Sequence, residues 1–428
     1  MNIGDTEIKK AYLIGIGGIG MSGLAQLMKD MDVLVSGSDR EESPVTELLE
    51  AKGISVQLTQ DGNGVPLDAD VVVYSEAVWE DNPDRMKAKE LQIPQKSYFD
   101  MLGEVSKEKK TIAVSGTHGK TTTTGMLAKI LLDAGATPSA IVGSIVKDFG
   151  SNYLSGAGDY FVVEACEYKR DFLTLTPTIL VITNIEFDHS DYYMDLADVQ
   201  SAFASLIANM PEDGVIVTDA THPSIVPILE GISQTVIDYT KEDTYELQLP
   251  GSFNQSNAQA AAAASKAALP ELPTDTIVQA LATFQGTWRR FEYKGKSKNA
   301  ADVYDDYAHH PTAIEKTLEE LRKKTKGRLF VAFHPHLYSR THDLFIDFAQ
   351  AFHAADMVYI APIYPAREVD DGRVSSEKLA EAITKNGVEA HAAAFSEIEE
   401  SLAEAKEGDV IVTMGAGDIY KVSNALVA

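Results

Sequence analysis

A chain of 428 residues with 44% apolar and 24% charged side chains has the composition of a globular protein and enough length for two or three hydrophobic cores. Its formal net charge of −27 excludes nucleic acid and anionic membrane as main partners, because both are held chiefly by basic surface. No apolar run reaches membrane-spanning length, the N-terminus lacks the basic-then-apolar form of a signal peptide, and one cysteine, Cys166, excludes an internal disulfide; a cytoplasmic location is expected. Phosphorylated ligands would therefore have to be held by local devices, namely backbone amides, single Lys or Arg side chains and a metal.

Residues 11–20, Ala-Tyr-Leu-Ile-Gly-Ile-Gly-Gly-Ile-Gly, read as a strand entering Gly15-x-Gly17-x-x-Gly20, with a helix following over 21–28. A second strand, 33–39, ends in Asp39, about twenty residues beyond the glycines, where a Rossmann unit places its ribose partner. Two readings stay open at this point: a dinucleotide site, or a tight turn with Asp39 capping the next helix. Val71-Val72-Val73-Tyr74-Ser75 is a further strand, and the charged run Lys107-Glu108-Lys109-Lys110 ends the pattern too soon for six strands. Roughly half of a dinucleotide fold is expected here, enough for a mononucleotide.

The second domain opens on Thr111-Ile112-Ala113-Val114, then Gly116-Thr117-His118-Gly119-Lys120-Thr121-Thr122, then apolar residues at helical spacing over 126–132. Strand, glycine loop and helix in that order present backbone N–H groups and a helix N-terminus to phosphate oxygens. Lys120 can reach the terminal phosphates and the Thr121 hydroxyl can bind Mg²⁺, although the usual P-loop spacing is shortened. Phe161-Val162-Val163-Glu164 and Ile179 to Asn184 are strands whose carboxyl ends lead to Glu164 and His189, and ligands collect at such ends. A carboxylate, an imidazole and a hydroxyl make a hard-metal set once substrate oxygens complete it. Taken singly, Glu164 is equally a helix cap and His189 a satisfied loop histidine. Cys166 has no supporting motif for a nucleophile.

An alanine-rich helix over 257–264 suits close packing, and Arg289-Arg290 at a domain junction suits bidentate phosphate contact, or plain solvation. A third domain resumes strand and helix alternation, with strands ending at Asp305-Asp306, at 329–333, at 358–360 and at 410–414. Five of the ten histidines fall between 309 and 342, but neither helical i, i+4 pairs nor cysteine partners support zinc, so a polar cleft lining is preferred. The fold class expected is α/β with three domains: N-terminal Rossmann-like, central P-loop ATPase-type with a mostly parallel sheet, and C-terminal Rossmann-like.

Gly116-Thr117-His118-Gly119-Lys120-Thr121, Asn184-Ile185-Glu186-x-Asp188-His189, Arg289-Arg290-Phe291-Glu292, Asp305-Asp306-Tyr307-x-His309-His310-Pro311, Pro335-His336-x-Tyr338-Ser339-Arg340-Thr341 and Met414-Gly415-Ala416-Gly417-Asp418 together resemble the Mur ligases of peptidoglycan synthesis. With the N-terminal Gly-Ile-Gly-Gly-x-Gly-Met-Ser, the resemblance spans residues 11 to 420 and points to the alanine-adding branch. It implies a UDP-binding domain over 1–107, an ATP-binding domain over 108–288 and a ligase domain over 289–428. Gly15, Gly17, Gly18, Gly20, Ser22 and Asp39 then become a UDP-sugar site. Gly116 through Thr122 hold ATP, with Lys120 on the transferred phosphate, Asn257 and Asp306 at the adenosine and Arg290 on a phosphate. Lys120, Glu164 and His189 become catalytic, Thr121, Glu164 and His189 serve Mg²⁺, and His309 and Arg340 lie near the muramyl carboxylate and the incoming amino acid.

The activity implied is ATP-dependent joining of L-alanine to UDP-N-acetylmuramate through an acyl phosphate, by a monomer or weak homodimer. No lysine occurs from Asp171 to Thr240, where ligases adding later residues carry a carbamylated one; Phe203 stands at about that place. Phe253 replaces a common histidine and suggests stacking on adenine, while Leu337 and His342 replace arginines of relatives. A ligase recycling a preformed peptide and an NAD-dependent oxidoreductase are the alternatives.

Overall fold

In a computed structural model, residues 2–3, 6–366, 368–370 and 372–427 are described. Three mixed or parallel sheets carry the chain, each covered by helices, as expected of an α/β protein. The chain divides into two compact units: Met1–Glu186 with Leu196–Gln248 and Gln255–Gln285, and Phe187–Asp195 with Leu249–Asn254 and Gly286–Ala428. The first unit holds two of the large sheets and the second unit the third. The domain limits 1–107, 108–288 and 289–428 stay a proposal, with one large sheet inside each.

The first sheet is five parallel strands in the order Ser55–Gln57, Leu34–Ser38, Lys10–Ile14, Val71–Tyr74 and Gln95–Ser97. That is more than the half fold predicted, because both edge strands are three residues long and carry little β pattern. Tyr12, Ile14 and Val72 project to one face and pack on Val65, Val78, Ala88 and Ile93. The strand order reverses beside Lys10–Ile14, so a crevice opens where that strand meets its glycine turn.

The second sheet has seven strands, in the order Ser151–Leu154, Ser139–Val146, Tyr160–Glu164, Lys110–Ser115, Ile179–Ile182, Val215–Thr218 and Thr235–Asp238. The first pair is antiparallel and the rest parallel. Lys110–Ser115 is central and wholly buried beyond its first residue, which explains its unbroken β-branched and small apolar run.

In the second unit, a six-stranded sheet runs Glu292–Lys296, Asp302–Asp306, Val410–Met414, Leu329–Phe333, Met357–Ile360 and Glu389–Ala392, antiparallel at its first edge alone. Leu329–Phe333 is buried on both faces. Val331 and Phe333 pack with Ile314, Leu318 and Phe352, while Phe330 and Ala332 pack with Ile398, Leu402 and Val422 on the other side, the period of two that a strand imposes. No helix among the described residues is long and apolar enough to cross a membrane.

Candidate active site

At the carboxyl end of Lys110–Ser115 the chain turns through Gly116–Gly119 into the helix Lys120–Asp133. Gly116 (φ +126°) and Gly119 (φ +84°) occupy left-handed backbone that favours glycine. A Cβ on Gly116 would meet the Thr183 hydroxyl at 2.2 Å, and one on Gly119 would meet the Asn257 side-chain oxygen at 2.3 Å, so neither position admits a side chain without movement. The neighbouring strand Ile179–Ile182 ends in Thr183-Asn184, which clamp the turn. Asn184 accepts from the N–H of His118 at 2.9 Å through its side chain and from that of Thr117 at 3.1 Å through its carbonyl, and it donates to the His118 carbonyl at 3.0 Å.

That clamp corrects one expectation. The amides of Thr117 and His118, read as phosphate contacts, are given to Asn184; the His118 ring faces Glu186, 3.4 Å away. The helix start adds the N–H groups of Lys120, Thr121 and Thr122, which have no intrahelical acceptor.

Lys120 folds back over the turn. Its ammonium donates to the Gly116 carbonyl, to that of Thr117 at 3.2 Å, and to both carboxylate oxygens of Glu167 at 3.0 and 3.2 Å. Burial pulls the Lys120 pKa down, but the charge of Glu167, with Cys166 and Glu164 behind it, outweighs burial and raises it. Glu167 is itself 2% exposed, and no role was assigned to it from sequence. Its signal was there: a second acid three residues after Glu164, just past the strand end beside the lysine.

Thr121 and Glu164 come together. The Thr121 hydroxyl donates to one Glu164 oxygen at 3.1 Å, and the other oxygen accepts the Gly143 N–H at 2.8 Å. Both are hard oxygen donors at the mouth of the turn, which fits Mg²⁺. Cys166, half-buried nearby, has its thiol pushed up to about 12, chiefly by burial and then by Glu167. Asn257, expected at the adenosine, instead braces the turn: it lies against Gly119 and accepts from the Thr123 hydroxyl at 3.3 Å.

In the first sheet, Gly15 (φ +77°) leads to a helix Ile19–Asp30 capped by Gly18. Asp39 does not cap the following helix, whose cap is Ser43, nor does it present a free carboxylate. One oxygen accepts the Gly17 N–H at 2.7 Å and the other the Arg40 N–H at 2.7 Å, so Asp39 closes the glycine turn. Ser22 likewise departs from its expected place at a sugar nucleotide. It is fully buried, donating to the Ile19 carbonyl at 3.0 Å and accepting from Asn152 at 3.0 Å.

The second unit carries its own cluster. Arg289, 4% exposed, donates to Asp305 at 2.8 Å, to the Gly417 carbonyl at 2.9 Å and to that of Gly415 at 2.6 Å. It is a structural tie, whereas its neighbour Arg290 lies over the Tyr307 ring at 4.8 Å. Asp306 accepts from Thr317 at 2.9 Å and from the Ala308 N–H at 3.0 Å; burial raises its pKa to about 6, against the charge of Arg290. Phe253 packs 6.0 Å from Phe291.

Arg340 is 5% exposed and lies 3.1 Å from Asp188 through both Nε and Nη2. Its Nη1 also approaches His336 Nδ1 at 3.3 Å, and since a guanidinium only donates, that histidine accepts there. Half-buried His309 stands beside them, its ring 6.2 Å from that of His336 and its Nδ1 2.9 Å from the Tyr307 carbonyl. Burial, and then the Arg340 charge, hold its pKa well below the usual imidazole value. His189, Arg289, Phe291 and Leu337 all have positive φ, between +48° and +71°, backbone strain gathered around this cluster.

Three family descriptions match the chain: "Mur ligase family, catalytic domain" over residues 10–110, "Mur ligase middle domain" over 114–245 and "Mur ligase, glutamate ligase domain" over 289–417. The chain belongs to the Mur ligase family.

Curated proteins named UDP-N-acetylmuramate--L-alanine ligase from Clostridium novyi and Clostridium kluyveri are 41% and 39% identical to this Mur ligase, over 97% of its length and 96% and 97% of theirs. The solved UDP-N-acetylmuramate-alanine ligase of Thermotoga maritima is 28% identical with a TM-score of 0.81, covering 98% of each chain. A murein peptide ligase from Psychrobacter arcticus is 25% identical with a TM-score of 0.74 over the same shares.

Proposed function

We propose that this Mur ligase joins L-alanine to the carboxylate of UDP-N-acetylmuramate with ATP, in the synthesis of peptidoglycan precursor. The observation that carries this is the 41% identity along nearly the whole chain to alanine-adding ligases, on a fold whose central sheet ends in a closed phosphate turn.

A carboxylate resists attack because its leaving group would be oxide. A carboxylate oxygen of the sugar nucleotide therefore attacks the γ-phosphorus of ATP, the bond from that phosphorus to the bridging oxygen breaks, and ADP leaves with the electron pair. The neutral alanine amine then attacks the acyl carbon, the bond to the phosphate oxygen breaks, phosphate departs, and the amine proton passes to a base or to water. Positioning and cationic stabilisation of spread phosphate charge supply most of such catalysis.

In this reading the N–H groups of Lys120, Thr121 and Thr122 receive the phosphates, and the Lys120 ammonium leaves Glu167 to follow the transferred group. Thr121 and Glu164 would hold Mg²⁺, which neutralises phosphate charge when bound. His189 belongs to the other unit and enters that set as a proposal from its sequence position, as do Arg290 and Asp306 for ATP, and His309 and Arg340 for the muramyl carboxylate and the amino acid. The Gly15, Gly17, Gly18 and Gly20 turn is proposed to take the UDP diphosphate.

Phosphate release measured with L-alanine, glycine, L-serine and a muramyl tripeptide should be fastest with L-alanine, by about tenfold or more over glycine, since one methyl in an apolar pocket is worth about 1–3 kcal/mol. A preference for the tripeptide would make the protein a recycling ligase, and tight NADH binding without amide formation would make it an oxidoreductase.

A further inference from the structure

Tyr98 stands between the two turns of the first unit without serving either in the account above. It is the first residue of the helix Tyr98–Glu108, whose start is fixed by a reciprocal cap: the Ser97 hydroxyl accepts the Asp100 N–H at 3.0 Å, and the Asp100 carboxylate accepts the Ser97 N–H at 2.9 Å. The half-buried ring lies directly on Gly20, in the first turn of the helix Ile19–Asp30. A Cβ on Gly20 would stand 2.8 Å from Tyr98 Cζ and 2.9 Å from its hydroxyl oxygen, so glycine at position 20 is what lets the phenol reach this place.

Burial first, and then the charges of Glu164 and Cys166, raise the pKa of the phenol. The hydroxyl makes no hydrogen bond to any of the described residues. A half-buried phenol seated on the glycine turn, and near enough to Glu164 to feel its charge, is placed to meet a molecule that spans both.

We propose that Tyr98 is a substrate-positioning residue whose hydroxyl donates to the sugar or lactyl part of the sugar nucleotide, between a diphosphate at the Gly15–Gly20 turn and a carboxylate directed toward the Gly116–Gly119 turn. This rests on the function proposed above, which supplies the two ends; the geometry supplies the residue between them. Tyr98 also gives selectivity: UDP alone, lacking the lactyl group, does not reach it.

The test is calorimetric binding of UDP-N-acetylmuramate, UDP and a non-hydrolysable ATP analogue to the native enzyme and to Tyr98→Phe, with steady-state kinetics beside them. Tyr98→Phe should weaken UDP-N-acetylmuramate about fivefold to tenfold, the value of one hydrogen bond, and raise its KM by the same ratio. Affinities for UDP and for the ATP analogue should stay within about twofold. Unchanged sugar-nucleotide binding, equal loss on UDP, or equal loss on the ATP analogue would each overturn the proposal. Failure of the native enzyme to bind UDP-N-acetylmuramate would instead overturn the proposed function.

Discussion

Lys120→Ala should lower turnover about a thousandfold or more, because the side chain removed is the one cation of the phosphate turn, and a loss of that size is about 4 kcal/mol of transition-state stabilisation. The structure adds a second consequence. Lys120 is the partner of Glu167, whose side chain is 3% exposed, and breaking a buried pair by removing one member costs about 3–5 kcal/mol. Lys120→Ala should thus also unfold at lower denaturant concentration. The double variant Lys120→Ala/Glu167→Gln removes the stranded charge and should recover most of that stability while recovering none of the turnover. Recovery of both together would mean that the lysine serves the fold and not the reaction; turnover within about tenfold of native in a folded Lys120→Ala would contradict its role outright.

Asp188→Ala should remove about 3–5 kcal/mol of stability from the second unit and at least a hundredfold of activity. The Asp188 side chain is 8% exposed and that of Arg340 is 6% exposed, so the substitution leaves a guanidinium without its carboxylate inside the protein. It also removes the acceptor of the His189 N–H, 2.6 Å away, and displaces the arginine proposed to meet the muramyl carboxylate and the amino acid. Burial alone would raise the Asp188 pKa, but Arg340 first, then His189, His310 and His309, hold it well below the ordinary carboxylate range. A carboxyl depressed in the folded state adds stability that is fully present above its unfolded value of about 3.9 and is lost as pH falls below it. The native protein should therefore lose stability in acid below about pH 4, and Asp188→Ala should lose less there. Denaturant titrations of both proteins at pH 7 and pH 3.5 measure this; parallel acid losses would show that Asp188 carries no share.

The phosphate turn was legible because its parts are local. A β-branched run, two glycines, a lysine and a hydroxyl lie within a dozen residues, and both glycines are forced by the backbone. The hairpin Ser139–Val146 and Ser151–Leu154 escaped notice since Gly143 and its serines break the strand pattern, although Gly143 is there to let the Glu164 carboxylate approach its N–H. Glu389–Ala392, with sequence Glu-Ala-His-Ala, is a strand through its pairing with Met357–Ile360 and not through propensity. Partner choice was the other blind spot. That Asp39 would serve Gly17, Asn257 the phosphate turn and Glu167 the lysine depends on contacts between residues 22, 138 and 47 positions apart, which no local pattern records. Arg289 and Arg290 are neighbours in sequence and look equivalent. Only the fold separates them, by drawing Arg289 onto Asp305 and two glycine carbonyls.

At the centre lies the transfer of a phosphoryl group from ATP to a sugar-borne carboxylate. Isotopic labelling tests it directly: UDP-N-acetylmuramate carrying ¹⁸O at both oxygens of its lactyl carboxylate is turned over with ATP and L-alanine, and the phosphate released is weighed by mass spectrometry. The account predicts one ¹⁸O in each phosphate, drawn from the carboxylate when the acyl phosphate breaks down. Phosphate released without label, while the amide forms, would contradict it.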